Sequence, residues 1–255
     1  MVPISILLPD AELADGPPAS ERVYRAFAAG EPTKSAPPSL REYLDALDSG
    51  EHDEAVILTP AVEFTVMYRN ARLAATMSRR HVEVVDTRTA AAGQGLIVSV
   101  ALEALEAGAS AYEVAAIARE AAQRTDLVAM LPDLASIERS GHVPATALHA
   151  AVPAAVPAAA QTQPIFRFSE GSVVPLGGQG AQGAQVDATS ILRATWAAAG
   201  GPDAERTLFF HAASYAEALH FRTSLGHDRP IVEFSPAMTV HTGIGCVGVA
   251  WMRAR

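Results

Sequence analysis

The run Val240-His241-Thr242-Gly243-Ile244-Gly245 sets an imidazole, a hydroxyl and two glycines in an otherwise apolar stretch near the C-terminus. Two kinds of chemistry fit those types at that spacing. The histidine can serve a small anion held by a glycine turn whose backbone N–H groups face it. Alternatively, the run is the last strand of a buried sheet, with glycines where packing is tight. A second candidate, Asp86-Thr87, closes the apolar run VEVV. Open α/β sheets carry ligand residues at that end of a strand, and an Asp-Thr pair there also caps turns.

Other chemistries lack their residues. The eight histidines stand singly, without an i, i+4 pair beside a glutamate, and Cys246 is the one cysteine. A histidine-pair zinc site, a cysteine zinc cluster and an internal disulfide therefore have no ligand set. No G-x-G-x-x-G follows the first strand, and neither a phosphate-loop lysine nor a G-x-S-x-G nucleophile elbow occurs. His241 working with Asp86 in hydrolysis or transfer remains the enzymatic alternative.

The elements that must position these residues alternate. VPISILL (2–8), EAVILTP (54–60), VEVVDT (82–87) and DLVAML (126–131) read as apolar strands. Between them lie helices at 18–30, 39–50, 70–80, 95–108 and 110–125. The second has Ser39 as N-cap, Glu42 three residues on and Gly50 at its end, a capping box with a glycine stop. Strands alternating with helices of this length predict a parallel sheet covered on both faces. The pattern then changes. HAAVPAAVPAAAQ (149–161) reads as a crossover, PIFRFSEGSVVPL (164–176) as a hairpin turning at Glu170-Gly171, and GGQGAQGAQ (177–185) as a loop. Helix 188–200, strand 206–212, helix 214–226, strand 230–235 and the closing 240–252 complete an α+β half. The expectation is two domains, 1–148 and 149–255, with a cleft between them and interleaving of N-terminal segments allowed.

The chain has 255 residues, 49% of them hydrophobic, and a formal net charge of -9. With no basic cluster longer than Arg79-Arg80, this balance argues against duplex nucleic acid or an anionic membrane as partner. No apolar run approaches the roughly 18 residues of a membrane span, and no secretory leader pattern opens the chain. The expected location is the cytoplasm.

Five segments, in order, resemble the DegV family of fatty-acid-binding proteins. SAPPSLREY (35–43) is similar to its T-S-Q-P-S segment, and FTVMYRNARLAA (64–75) to its Ser-Gly-Thr-Tyr helix opening. VEVVDTRTAAAGQG (82–95) resembles its strand, Asp-Ser/Thr, small residues and two glycines. LPDLASIERSGHVPA (131–145) resembles its helix leading to a Gly-Arg-Ile turn, and VHTGIGCVGVAW (240–251) its closing His-Thr-Gly-x-Gly. VPISILL resembles the strand that follows the family's opening Asp-Ser-Thr unit, so that unit is expected to be missing ahead of it.

The resemblance implies a two-domain fold: an N-terminal parallel α/β sheet, a C-terminal α+β domain and a ligand tunnel between them. It implies a non-catalytic carrier with no cofactor, holding one long-chain fatty acid and presenting its carboxylate to a partner fatty acid kinase. Ser35, Thr65, His241, Thr242 and Gly243 would hold the head group. Asp86, Thr87, Phe64, Met67, Gly93, Gly95 and His142 would stand behind them or along the tunnel. The family's Lys-x-Arg stretch is replaced here by GGQGAQGAQ. The alternative implied is a diverged regulatory or interaction protein that has lost kinase coupling or lipid binding.

Overall fold

The structure, a computed structural model, describes residues 1–132, 163–176 and 188–255. His142, the Pro/Ala crossover, the expected boundary near 148 and the loop at 177–185 lie outside the described residues.

The chain opens on a small antiparallel meander. Strand β1 (Ser5–Leu7) pairs with β2 (Glu12–Ala14) on one side and β3 (Lys34–Ala36) on the other. Helix α1 (Ser20–Ala28) covers it with Val23 and Ala26, beside Ile6. β2 and β3 are three-residue strands with polar flanks, too short for an alternation to register.

Helix α2 (Leu40–Asp48) forms where its capping box requires: the Ser39 hydroxyl accepts from the Glu42 N–H, and the Glu42 carboxylate accepts from the Ser39 N–H. Strand β4 (Glu54–Thr59) then leads to helix α3 (Met67–Met77), and β5 (His81–Asp86) to helix α4 (Ala91–Glu106). β4 and β5 pair in parallel with Thr59 opposite Asp86, and α2 and α3 cover one face of the pair. Helix α5 (Ala111–Arg124), opened by a second capping box at Ser110-Glu113, covers the other.

The largest sheet has six strands. β6 (Thr125–Met130) and β7 (Ile165–Ser169) pair, and β7 continues through the expected Glu170-Gly171 turn into β8 (Ser172–Pro175). Helix α6 (Ala188–Ala198), strand β9 (Ala204–His211), helix α7 (Tyr215–Ser224), strand β10 (Ile231–Glu233), helix α8 (Pro236–Thr242) and strand β11 (Val247–Arg253) follow. The strand order is β10-β9-β11-β6-β7-β8.

Two expectations change here. The strand near 126–131 does not extend the parallel sheet; it runs antiparallel to both β11 and β7. Every residue of β6 is buried, and an apolar strand covered on both faces reads the same whichever direction its neighbours run. A strand from the N-terminal side of residue 148 therefore sits in one sheet with strands from beyond it. The expected closing strand at 240–252 starts only at Val247, because 240–242 are the last turn of α8. Ser235 as N-cap and Pro236 at the first helical position mark that helix in the sequence.

Alternation along β6, β9 and β11 divides the large sheet's side chains. Val128, Phe209, Val249 and Trp251 pack with Leu192, Trp196 and Phe221 of α6 and α7. Leu127, Phe210, Ala250 and Met252 pack with Leu96, Ile97 and Ala101 of α4. Helix α4 also packs along α5, so it is apolar around most of its girth, as a helix enclosed on several sides must be.

Candidate functional site

His241 occupies the last turn of α8, and its Nε2 is joined to the Ser35 hydroxyl by a 2.7 Å hydrogen bond. The two residues are 206 positions apart and belong to different layers. Ser35 is placed by β3, where it stands opposite Ile6 of β1. His241 is placed by a helix that ends in the next two residues. The Thr242 hydroxyl donates to the Met238 carbonyl (3.0 Å), and Gly243 leaves the helix with φ 78°. Gly245, at φ 103°, donates its N–H to the Ala212 carbonyl and feeds the chain into β11. Side chains rarely adopt those two φ values, which is why glycines flank Ile244. The stretch is thus a helix end and a turn, with the buried strand beginning beyond them.

A second cluster lies at the carboxyl ends of β4 and β5. The Thr87 hydroxyl is fully buried and donates to the Thr59 carbonyl (2.7 Å), which also accepts the Thr87 N–H. Asp86 accepts from the Arg88 N–H at 2.9 Å. Burial, with a further push from Glu63, raises the Asp86 carboxyl above its ordinary range. Thr65 accepts from the Met67 N–H (3.3 Å) just ahead of α3, whose N-cap position is Val66. Met67 is buried, and Phe64 packs edge-on against Phe168 of β7 at 5.5 Å. The β7–β8 turn docks here too: the Arg88 guanidinium donates to the Glu170 carbonyl, and the Gly171 N–H to the Arg88 carbonyl.

Gly93 and Gly95 lie inside the first turns of α4, which starts at Ala91, four residues earlier than the start read from the sequence. A Cβ on Gly93 would fall 2.5 Å from the Thr89 hydroxyl, so glycine lets the buried threonine fold over the helix start. Gly95 faces Leu208 at ordinary contact distance.

The structure brings Ser35 and His241 into direct contact and gathers Phe64, Thr65, Asp86 and Thr87 on neighbouring loops. One bond ties the two clusters: the Asn70 amide of α3 donates to the Pro38 carbonyl, three residues after Ser35 (2.9 Å). Asn70 escaped sequence reasoning because its partner is a backbone carbonyl 32 residues away. His211 escaped it as well. It ends β9 beside Val247 of β11, nearly buried, and its Nδ1 accepts from the Ser214 N–H (3.1 Å), which leaves the proton on Nε2. Burial lowers its pKa, so the ring is neutral at physiological pH. A groove of about 390 Å³ lies on the same face of the large sheet, floored by Met130, Leu192, Phe221 and Val247 and edged by Gln163, Thr189, Glu217 and His220. Its size falls in the range of small-molecule sites. Among the described residues no cluster of acidic, histidine or cysteine side chains is arranged to hold a metal, and no helix is long and apolar enough to cross a membrane.

Compared with known protein families, residues 1–254 match the model described as an uncharacterised protein of the DegV family. The chain belongs to the DegV family. Solved DegV structures share its fold at low identity. One from Thermus thermophilus, described by its fatty acid binding, is 20% identical with a TM-score of 0.81, over 99% of this chain and 91% of its own. One from Eubacterium eligens, loaded with heptadecanoic acid, is 18% identical with a TM-score of 0.80, over 99% and 92%. A stearic acid-binding protein from Eubacterium ventriosum is 16% identical with a TM-score of 0.79, over 99% and 90%. No protein with a curated description matches this DegV chain.

Proposed function

We propose that this chain binds one long-chain fatty acid, with its carboxylate at the Ser35–His241 corner and its alkyl chain along the groove floored by Met130, Leu192, Phe221 and Val247. The observation that carries the reading is the 2.7 Å contact between Ser35 and His241, a hydroxyl and an imidazole brought together from 206 residues apart. A carboxylate held by two or three charge-assisted bonds gains about 1.5–3 kcal/mol from each. Each methylene buried in the groove adds about 0.8 kcal/mol, so the tail supplies most of the affinity and the corner sets orientation. Thr65, Thr242 and Gly243 belong to the head-group side. Phe64, Met67, Asp86, Thr87, Gly93 and Gly95 shape its surroundings.

The chain acts as a carrier, and a separate ATP-dependent kinase in the cytoplasm phosphorylates the presented carboxylate. Its one thiol is unsuited to nucleophilic work: Cys246 is fully buried, which pushes its pKa up to about 12, and the Thr242 hydroxyl only partly offsets this.

Lipid extracted from purified protein and measured by mass spectrometry is expected at about one acyl chain per polypeptide. Added oleate should shift the emission of Trp196 and Trp251, which share the groove's side of the sheet. The absence of both copurified lipid and an oleate response would overturn the reading. Kinase coupling has its own test: acyl phosphate should form when loaded protein, ATP and a DegV-partner kinase are combined. Its absence with lipid binding intact would favour a regulatory protein.

A further inference from the structure

His211 closes strand β9 in a row of residues that crosses the large sheet on the groove's side. Residues opposite one another on neighbouring strands share a face. Glu233 of β10 pairs with His211, His211 with Val247 of β11, and Val247 with Met130 of β6. Val247 and Met130 floor the groove, so the imidazole stands beside that floor. Its Nδ1 accepts from the N–H of Ser214, the N-cap residue of α7. That N–H is one of the four donors a helix start leaves without an intrahelical partner, and no side chain within α7 caps it. Helix α7 in turn carries Ala216, Glu217, His220 and Phe221 along the groove, and its Tyr215 meets the imidazole edge-on at 5.7 Å. Between ring and helix, Ala213 is held at φ 50°, a left-handed conformation that alanine disfavours. The residue before it is fixed on both sides: the Ala212 N–H donates to the Cys246 carbonyl, and the Ala212 carbonyl accepts from the Gly245 N–H.

We infer that His211 is a positioning residue for the groove: as a neutral imidazole it clamps the start of α7 against the sheet, and on protonation it releases that helix and the ligand beside it. The two states exclude each other. A protonated imidazole donates from both nitrogens, so Nδ1 would face the Ser214 N–H as a second donor. The imidazolium would also sit at the N-terminus of α7, where the helix dipole opposes positive charge. Strain at Ala213 then favours movement of Ser214 away from the ring. Two carboxylates face the imidazole, Glu233 from β10 and Glu217 from α7, and both favour the charged form; burial opposes them and is the larger effect. From β11 the paired residue is Val247, which does not titrate, and α7 adds the Tyr215 ring edge. Because the folded pKa is lowered, the clamp is closed at neutral pH and is lost as pH falls below the ordinary histidine value of about 6.5 and through the lowered one. A bound acyl chain is thus held at neutral pH and let go in acid. Only this last consequence, control of the acyl chain, rests on the fatty-acid reading.

The test compares the full chain with its His211→Asn and His211→Leu variants by amide hydrogen exchange and by titration with a fluorescent fatty acid. Asparagine sets its Oδ1 near the position of Nδ1, so it accepts from Ser214 and takes no proton. In lipid-free wild type, exchange at Ser214 and the amides that follow it, corrected for its intrinsic pH dependence, should rise about tenfold between about pH 7.5 and about pH 5. His211→Asn should stay protected across that range. Fatty-acid affinity should fall about tenfold further in wild type than in His211→Asn over the same range. The ligand's carboxyl and His241 titrate alike in both proteins, so the difference belongs to position 211. His211→Leu should show open exchange and weakened affinity already at neutral pH, and asparagine should rescue both. Thermal melts check that each variant folds. An equal acid response in wild type and His211→Asn would overturn the inference, and so would an asparagine that rescues no better than leucine. Acid-opened exchange in a protein that binds no fatty acid at either pH would uphold the clamp and overturn the carrier reading instead.

Discussion

Strand β11 and the β1–β3 meander are held in opposite ways. β11 lies between β6 and β9, with apolar helices on both faces, and Val247–Met252 are all buried. Gly248 has no room for another atom: a Cβ there would sit 2.3 Å from both the Phe210 ring and the Val128 carbonyl. The meander has three-residue strands and a small apolar cluster around Ile6, Val23 and Val240. It is anchored by polar contacts instead. Ser35 meets His241, Asp15 accepts from the Ala237 N–H, and the Tyr24 hydroxyl donates to Glu233 at 2.8 Å. Burial, helped by Glu233, pushes the Tyr24 phenol up to about 12, so it stays a donor at physiological pH. Two of the three anchors end on α8, the helix that carries His241. A few polar contacts can be exchanged with a ligand; a packed strand cannot, so the meander is the region whose order a bound carboxylate can alter.

Four changes test this contrast. The largest effect is expected at Gly248→Val, which forces atoms into the centre of the large sheet. It should destabilise by about 3 kcal/mol or more in denaturant unfolding, or prevent folding. If it were tolerated, the rigid half of the contrast would fail. Next comes Asp126→Asn. Asp126 is fully buried and receives Arg167 at 2.8 Å and Arg253 at 3.4 Å, both partly solvated. Losing the charge should cost about 2–3 kcal/mol, below the full figure for a dry ion pair because the arginines retain water.

Ser35→Ala should behave differently. Its stability cost should be about 1 kcal/mol, the usual net worth of one hydrogen bond, while fatty-acid affinity falls by about tenfold. Unchanged affinity by fluorescence titration would remove Ser35 from the head-group corner. The smallest effect is a pH dependence. Asp86 has a raised pKa in the folded state, so its contribution is most favourable below the ordinary carboxylate range and is lost as pH rises through the raised value. Asp86→Asn should therefore gain stability relative to wild type between acidic and neutral pH. Parallel unfolding curves across that range would show that the buried loop ends at β5 carry no such penalty.

Much of this was legible in the residues. Ser39-Glu42 marked a helix start because a capping box is a local exchange of bonds, and apolar spacing marked the helix from 110. Glu170-Gly171 marked the β7–β8 turn, where both residues take positive φ. The strand alternation after Gly245 was legible too, and segment resemblance singled out Ser35 and His241, which the structure brings into contact. Helix α8 was missed because the Val240-His241-Thr242 end of it was read with the strand that follows. The direction of β6 was missed because burial on both faces leaves no periodic trace of its neighbours.

The sequence by itself determined the helices other than α8, the longer apolar strands, the hairpin and the family, since each rests on local spacing or ordered segments. Tertiary structure alone decided that Ser35 and His241 share a hydrogen bond, that Asn70 holds Pro38, and that β6 belongs with β11. The physical reason is the same in each case: these are relations between residues brought together by packing, across distances no periodicity spans.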